Sequence, residues 1–202
     1  MITLVTGGSG SGKSGMAERL LAESTCKGKY YLATMQAGDD EESKKKIERH
    51  RRLRRGKGFR TIEQSLDIRR AAAKMGPESP MERGVLLECL STLTANEMFR
   101  GETPGTSEDV GASEEAGTAG KLKAEATAEK IFEDVEHLYK TVRDLIIVSD
   151  NVFEDGMQYD EGTQAYLRAL AKLVRELAGR ADRVVEVVAG IPVWVKRENS
   201  RA

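Results

Sequence analysis

At 202 residues with 39% hydrophobic content, the chain is long enough for one domain with a full core and sits at the lower end of globular composition. A formal charge of −1 supplies no global basic field to suggest nucleic acid, and 32% charged residues imply a heavily solvated surface. Cys26 and Cys89 stand far apart with no C-x-x-C pair and no Cys/His cluster, which argues against a disulfide scaffold or a structural zinc site. With no signal-like segment at residue 1 and no apolar stretch of membrane-spanning length, the expectation is a soluble, cytoplasmic protein.

The first predicted unit is a strand over residues 2–5, followed by Gly7-Gly8-Ser9-Gly10-Ser11-Gly12-Lys13-Ser14 and a helix over 14–23. This is the G-x-x-x-x-G-K-[ST] pattern of a phosphate-binding loop. Its glycines turn backbone N–H groups toward a polyphosphate, Lys13 neutralises the outer phosphates, and the Ser14 hydroxyl suits Mg²⁺. A flexible Gly/Ser turn would lack the strand before it and the apolar face of Met16, Ala17, Leu20 and Leu21 after it. A second strand over 30–33 completes a β-loop-α-β order, the signature of a parallel sheet. Ligands of such sheets gather at the carboxyl ends of the strands, which brings Thr34 near the loop.

Residues 39–55 are charge-polarised: Asp39, Asp40, Glu41 and Glu42 lead, and a run of Lys and Arg follows to Arg55, then Gly56. Acids first and bases last complement a helix dipole, and Gly56 suits the residue beyond its end. His50 lies on this helix among cations. On residues alone, the plainest reading is a solvated surface helix. A second is a histidine nucleophile surrounded by phosphate-collecting cations. A third, a nucleic-acid patch, is weakened by the scarcity of aromatics around it.

Residues 60–63 read as a short extended piece and 64–74 as helical. The apolar run 84–87 predicts a buried strand that delivers Glu88 to its carboxyl end, where such a carboxylate orients Mg²⁺ or its water shell. Residues 101–120 are rich in Gly, Thr, Ser, Glu and Ala and are expected to form a flexible surface excursion, with a long helix beginning near Ala124. On that helix Ile131, Val135, Leu138 and Val142 share the core face, and His137 falls with Lys130 and Asp134 on the other, as a plain surface histidine. A buried strand over 145–148 ends at Ser149, Asp150 and Asn151, another carboxyl end where ligands lie. A helix carrying Leu167, Leu170, Leu173 and Leu177 precedes two strands, 184–188 and 192–195, that close the fold as an antiparallel hairpin.

Several of these pieces together resemble the bifunctional adenosylcobinamide kinase/adenosylcobinamide-phosphate guanylyltransferase family. They are Val5-Thr6-Gly7-Gly8 with Ser11-Gly12-Lys13-Ser14, Tyr31-Leu32-Ala33-Thr34, Lys46-Ile47-Glu48-Arg49-His50-Arg51, Thr61-Ile62-Glu63, Leu86-Leu87-Glu88-Cys89-Leu90 and Ala189-Gly190-Ile191-Pro192. The resemblance implies an α/β fold of the phosphate-loop NTPase type over residues 1–202. It implies ATP and GTP as substrates, Mg²⁺ at Ser14 and Glu88, and adenosylcobinamide as acceptor. It further implies a His50-GMP intermediate, nucleotide contacts from the loop, Thr34, Arg51 and Glu63, catalytic roles for His50, Lys13 and Glu88, and a homo-oligomer, a trimer. The chain departs from the family pattern at Asp150 and Asn151, where Asn-Glu is usual, and at Val174, where Asn is usual. The alternatives are a kinase or NTPase without guanylyl transfer, and a nucleotide-responsive binding module using the basic helix 44–55.

Overall fold

The computed structural model describes residues 1–36, 56–101, 114–153, 156–157 and 159–197. The proposed histidine helix, with His50 and Arg51, lies outside the described residues, as does most of the 101–120 segment.

Among the described residues seven strands form one sheet: β1 (Ile2–Gly7), β2 (Gly28–Ala33), β3 (Arg60–Glu63), β4 (Arg83–Glu88), β5 (Asp144–Asp150), β6 (Arg183–Val188) and β7 (Ile191–Lys196). Their order is β3-β2-β4-β5-β1-β6-β7, parallel throughout except for the antiparallel β6–β7 pair. The fold is therefore the mainly parallel α/β sheet with a terminal hairpin that the sequence predicts. Each predicted strand is present and runs a residue or more longer, except the 60–63 piece, which matches β3.

Successive residues of the central strands alternate between two buried layers. Ile2, Leu4, Leu32, Val85, Leu87, Leu145 and Ile147 pack on one face with helices α3 (Glu114–Tyr139) and α4 (Glu161–Arg180). Val5, Tyr31, Leu86, Ile146 and Val148 pack on the other with Ala17 and Leu21 of α1 (Lys13–Glu23). A sheet covered on both faces needs apolar side chains at consecutive positions, which is why these strands read as continuous apolar runs. Burying each Leu or Ile contributes roughly 2 kcal/mol, so the layers are the main source of stability.

Three expectations are corrected. The long helix begins at Glu114, ten residues before Ala124, so residues 114–120 are helical rather than a loose excursion. The segment lacks large apolar residues, yet Glu, Ala and Lys are good helix formers, and at Gly120 a Cβ would stand only 3.6 Å from Ala165 of α4, so small residues suit the close approach. Asp134 is not on a solvated face: it is 1% exposed and paired with Lys130 and Arg69, whereas His137 is exposed as expected. Residues 64–74 are helical only from Ile68, and as a 3-10 helix. A further helix, α2 (Leu90–Met98), follows β4 directly. Among the described residues no helix is long and apolar enough to cross a membrane.

Candidate functional site

Parallel register brings the functional residues to one edge of the sheet. Gly7 of β1 pairs with Asp150 of β5, and Ala33 of β2 pairs with Glu88 of β4, so the loop after β1 faces the carboxyl ends of its neighbours. The loop enters α1 through Gly12 at φ 94°, a left-handed conformation that glycine adopts without a Cβ penalty. The N–H groups of the first turn of a helix have no partner within it, which makes the start of α1 a ready anion site.

Lys13 is 8% exposed; its ammonium lies 2.6 Å from Asp150 Oδ1 and donates to the Gly8 carbonyl at 3.1 Å. Ser14 Oγ donates to Glu88 Oε1 at 2.7 Å. The second oxygen of Glu88 and the hydroxyl of Ser11 are buried and have no hydrogen-bond partner among the described residues. Burial pushes the Glu88 carboxyl up to about 7, against the smaller opposing pull of the Ser14 hydrogen bond and the Lys13 charge. Burial also acts to raise Asp150, but Lys13 and the Ser91 hydroxyl outweigh it and hold the group below its ordinary value. An orphaned buried carboxylate oxygen beside a hydroxyl is a hard-oxygen donor set that a divalent cation would satisfy, so the residues present fit Mg²⁺.

The turn between β6 and β7 braces the loop: Gly190 N–H donates to the Ser11 carbonyl at 2.9 Å. A cavity of about 890 Å³ opens between residues 8–11, 150–152 and 186–189, a volume in the range of small-ligand clefts.

The other residues singled out from sequence occupy different settings. Thr34 is fully buried, and its hydroxyl accepts from Cys89 N–H at 2.9 Å and lies within hydrogen-bond distance of the Glu88 and Cys89 carbonyls, so it ties the end of β2 to the β4–α2 junction. Glu63 is exposed at the end of β3, the edge strand beyond β2 and β4. Two residues to which the sequence reading gives no catalytic or binding role are central here. Asp150 meets Lys13, and Ser91, at the start of α2, donates to Asp150 Oδ2 at 2.5 Å. The strand-end rule pointed to Asp150; its pairing depends on the β1–β5 register, which no local motif encodes.

Elsewhere, Asp67, Glu97 and Asp134 offer ligand atoms within 4.8 Å of one another. Lys130 pairs with all three, so the cluster already contains its cation.

A family model described as cobinamide kinase / cobinamide phosphate guanyltransferase matches residues 3–195. The bifunctional adenosylcobalamin biosynthesis protein CobP of Pseudomonas aeruginosa is 31% identical over 98% of this chain and 99% of its own length. The bifunctional adenosylcobalamin biosynthesis protein CobU of Escherichia coli is 33% identical over 97% of this chain and 100% of its own. Among solved structures, the flagellar accessory protein FlaH from Methanocaldococcus jannaschii aligns with a TM-score of 0.45 at 10% identity, covering 98% of this chain and 78% of that one.

Proposed function

Because the chain belongs to the cobinamide kinase / cobinamide phosphate guanyltransferase family, we propose that it phosphorylates adenosylcobinamide and then guanylylates the product through a covalent His50-GMP intermediate. The observation that supports this most directly is the convergence of Lys13, Ser14, Glu88 and Asp150 at the loop after β1. Phosphoryl and nucleotidyl transfers concentrate charge on phosphate oxygens, and catalysis of both is mainly positioning and electrostatic stabilisation.

In the kinase step the loop N–H groups and Lys13 hold the β- and γ-phosphates of ATP or GTP. The aminopropanol hydroxyl of adenosylcobinamide attacks the γ-phosphorus, the bond to the β-phosphate oxygen breaks, and the nucleoside diphosphate leaves. Ser14 and Glu88 are the residues to hold Mg²⁺, which when bound supplies charge neutralisation at the phosphates. In the second step the neutral imidazole of His50 attacks the α-phosphorus of GTP and pyrophosphate leaves. The phosphate of adenosylcobinamide phosphate then attacks that phosphorus, releasing His50 and giving adenosylcobinamide-GDP. In this reading the Arg and Lys residues of 44–55 are the cations that collect the phosphate oxygens of GTP. Arg51 and Glu63 belong to the nucleotide-facing set in this reading, Thr34 supports it from behind by holding the end of β2 to the β4–α2 junction, and the working form is a homo-oligomer, a trimer.

The test is incubation with Mg²⁺ and GTP labelled on the α-phosphate, followed by a denaturing gel, with His50→Ala in parallel. Acid-labile, base-stable label on the wild type and none on the variant is the expected result. A folded wild-type protein that binds GTP and takes no label would remove the guanylyl half and leave a kinase.

A further inference from the structure

Lys13 does not wait uncommitted for a nucleotide. Its ammonium is already matched by a full carboxylate charge at 2.6 Å and by the Gly8 carbonyl at 3.1 Å, in a position only 8% exposed. The carboxylate is itself held: its other oxygen accepts from Ser91 Oγ at 2.5 Å, with the Cys89 thiol at 3.7 Å, and Ser91 is 6% exposed on the first turn of α2. Asp150 is therefore aimed at Lys13 by two elements, the β5 strand end and α2, and cannot swing away without breaking a part-buried hydrogen bond. A lysine in a phosphate loop attracts polyphosphate through its net charge. Here that charge is cancelled in advance, and the cancelling group sits where it repels phosphate oxygens.

We propose that Asp150 is a resident counter-ion of Lys13 that incoming nucleotide must displace or share, a positioning residue that makes the site resist metal-free nucleotide and admit the metal-bound form. This inference rests on the nucleotide reading of the same loop. A nucleotide that arrives with a divalent cation carries less net negative charge, so Asp150 opposes it less, whereas the bare polyphosphate meets the full repulsion and must take Lys13 from its partner. Asparagine at 150 would keep a carbonyl acceptor for Ser91 and remove the charge.

The experiment is calorimetric titration of the full chain with GTP, in excess EDTA and in excess Mg²⁺, for wild type, Asp150→Asn and Ser91→Ala. The expected result is that Asp150→Asn tightens GTP binding in EDTA by about tenfold or more, and in Mg²⁺ by no more than about threefold, where tenfold is 1.4 kcal/mol. Ser91→Ala, which frees the carboxylate without neutralising it, moves the EDTA affinity the same way by a smaller factor. The split between the EDTA and Mg²⁺ affinities is the readout that a merely structural role of Asp150 would not move. Unchanged or weaker EDTA binding by Asp150→Asn overturns the inference, as does selective loss of Mg²⁺-GTP binding, which would make Asp150 a ligand of the cation. Should Asp150→Asn fail to fold, wild-type EDTA affinity in Ser91→Ala overturns it equally. If neither wild type nor variants bind GTP in either buffer, the nucleotide reading and the inference fall together; if wild type binds and Asp150→Asn binds no better, only the inference falls.

Discussion

Ser14 Oγ donates to Glu88 Oε1 at 2.7 Å, joining the first turn of α1 to the end of β4, while Glu88 Oε2 stays buried without a partner among the described residues. A carboxylate so placed is costly when charged and no cation is bound, and its pKa of about 7 against an ordinary 4.5 records that cost. Because the native value lies above the unfolded one, the native state holds the proton more tightly between them. The contribution of Glu88 to stability is therefore fully present below pH 4.5 and is lost as pH rises through about 7. Glu88→Gln keeps an acceptor for Ser14 and cannot ionise. Melting curves in EDTA should show the two proteins similar near pH 5 and the variant more stable near pH 8, by on the order of 2–3 kcal/mol. A gap that does not widen with pH would show that Glu88 ionises freely in the fold.

The loop's glycines are not equivalent. A Cβ on Gly7 would lie 2.5 Å from Ser11 Oγ and 2.6 Å from the Val187 carbonyl oxygen, and the latter belongs to a strand that cannot rotate aside. A Cβ on Gly10, at φ +72°, meets nothing within 4 Å. Gly7→Ala should cost about 3 kcal/mol or more and abolish GTP binding, because the loop must shift off β6. Gly10→Ala should cost only the left-handed penalty of about 1 kcal/mol. Urea titration of both variants checks the ranking, and equal costs would refute it.

At the far side of the sheet, Tyr30 is 1% exposed, donates to Glu78 Oε2 at 2.6 Å and accepts from Gly76 N–H at 2.7 Å. Tyr30→Phe leaves the Gly76 N–H without its acceptor, at a cost of about 2 kcal/mol. Since β4 and β5 separate β2 from the loop strand, GTP affinity should be unchanged. Parallel measurement of melting temperature and GTP binding tests both halves; an altered affinity would mean that a change at the Tyr30 end of β2 is transmitted to the nucleotide site.

What the sequence reveals of this molecule follows the range of the forces involved. The loop from Gly7 to Ser14, the strand-end Glu88 and the terminal hairpin are written locally, in glycine spacing and in apolar runs, and the structure has all three. Two features escape a local reading because their partners come from other elements. Asp150 acquires its role by lying opposite Gly7 in the β1–β5 register and beneath Ser91 of α2. Asp134 falls off the apolar stripe of α3, so a helical projection makes it a surface residue, yet the 3-10 helix Ile68–Lys74 brings Arg69 against it and it is buried. The start of α3 escapes for a different reason: its small residues carry helix propensity but little hydrophobic signal.

Lys130 is the shared cation of Asp67 at 2.9 Å, Asp134 at 2.9 Å and Glu97, which are 18%, 1% and 5% exposed at their side chains. Burial acts against its charge, but the three carboxylates outweigh that and raise its pKa. Arg69 and Arg100 reach Asp134 and Asp67 from outside, and neither reaches Glu97. Lys130→Met would leave three partly or fully buried carboxylates in mutual repulsion, a change that costs about 3–5 kcal/mol when one partner of a buried pair is removed. The sign of the pH effect follows from Asp67, whose pKa the Lys130 hydrogen bond holds below its ordinary 3.8. A depressed carboxylate stabilises the native state above its unfolded pKa and loses that contribution as pH falls. The wild type therefore loses this contribution as pH falls below 3.8, while the variant never had it. Urea unfolding of both proteins should show the deficit of Lys130→Met at its full size from pH 7 down to about the ordinary 3.8 of Asp67 and shrinking as pH falls below it, and a deficit that is constant with pH throughout would mean that the lysine acts there through packing alone.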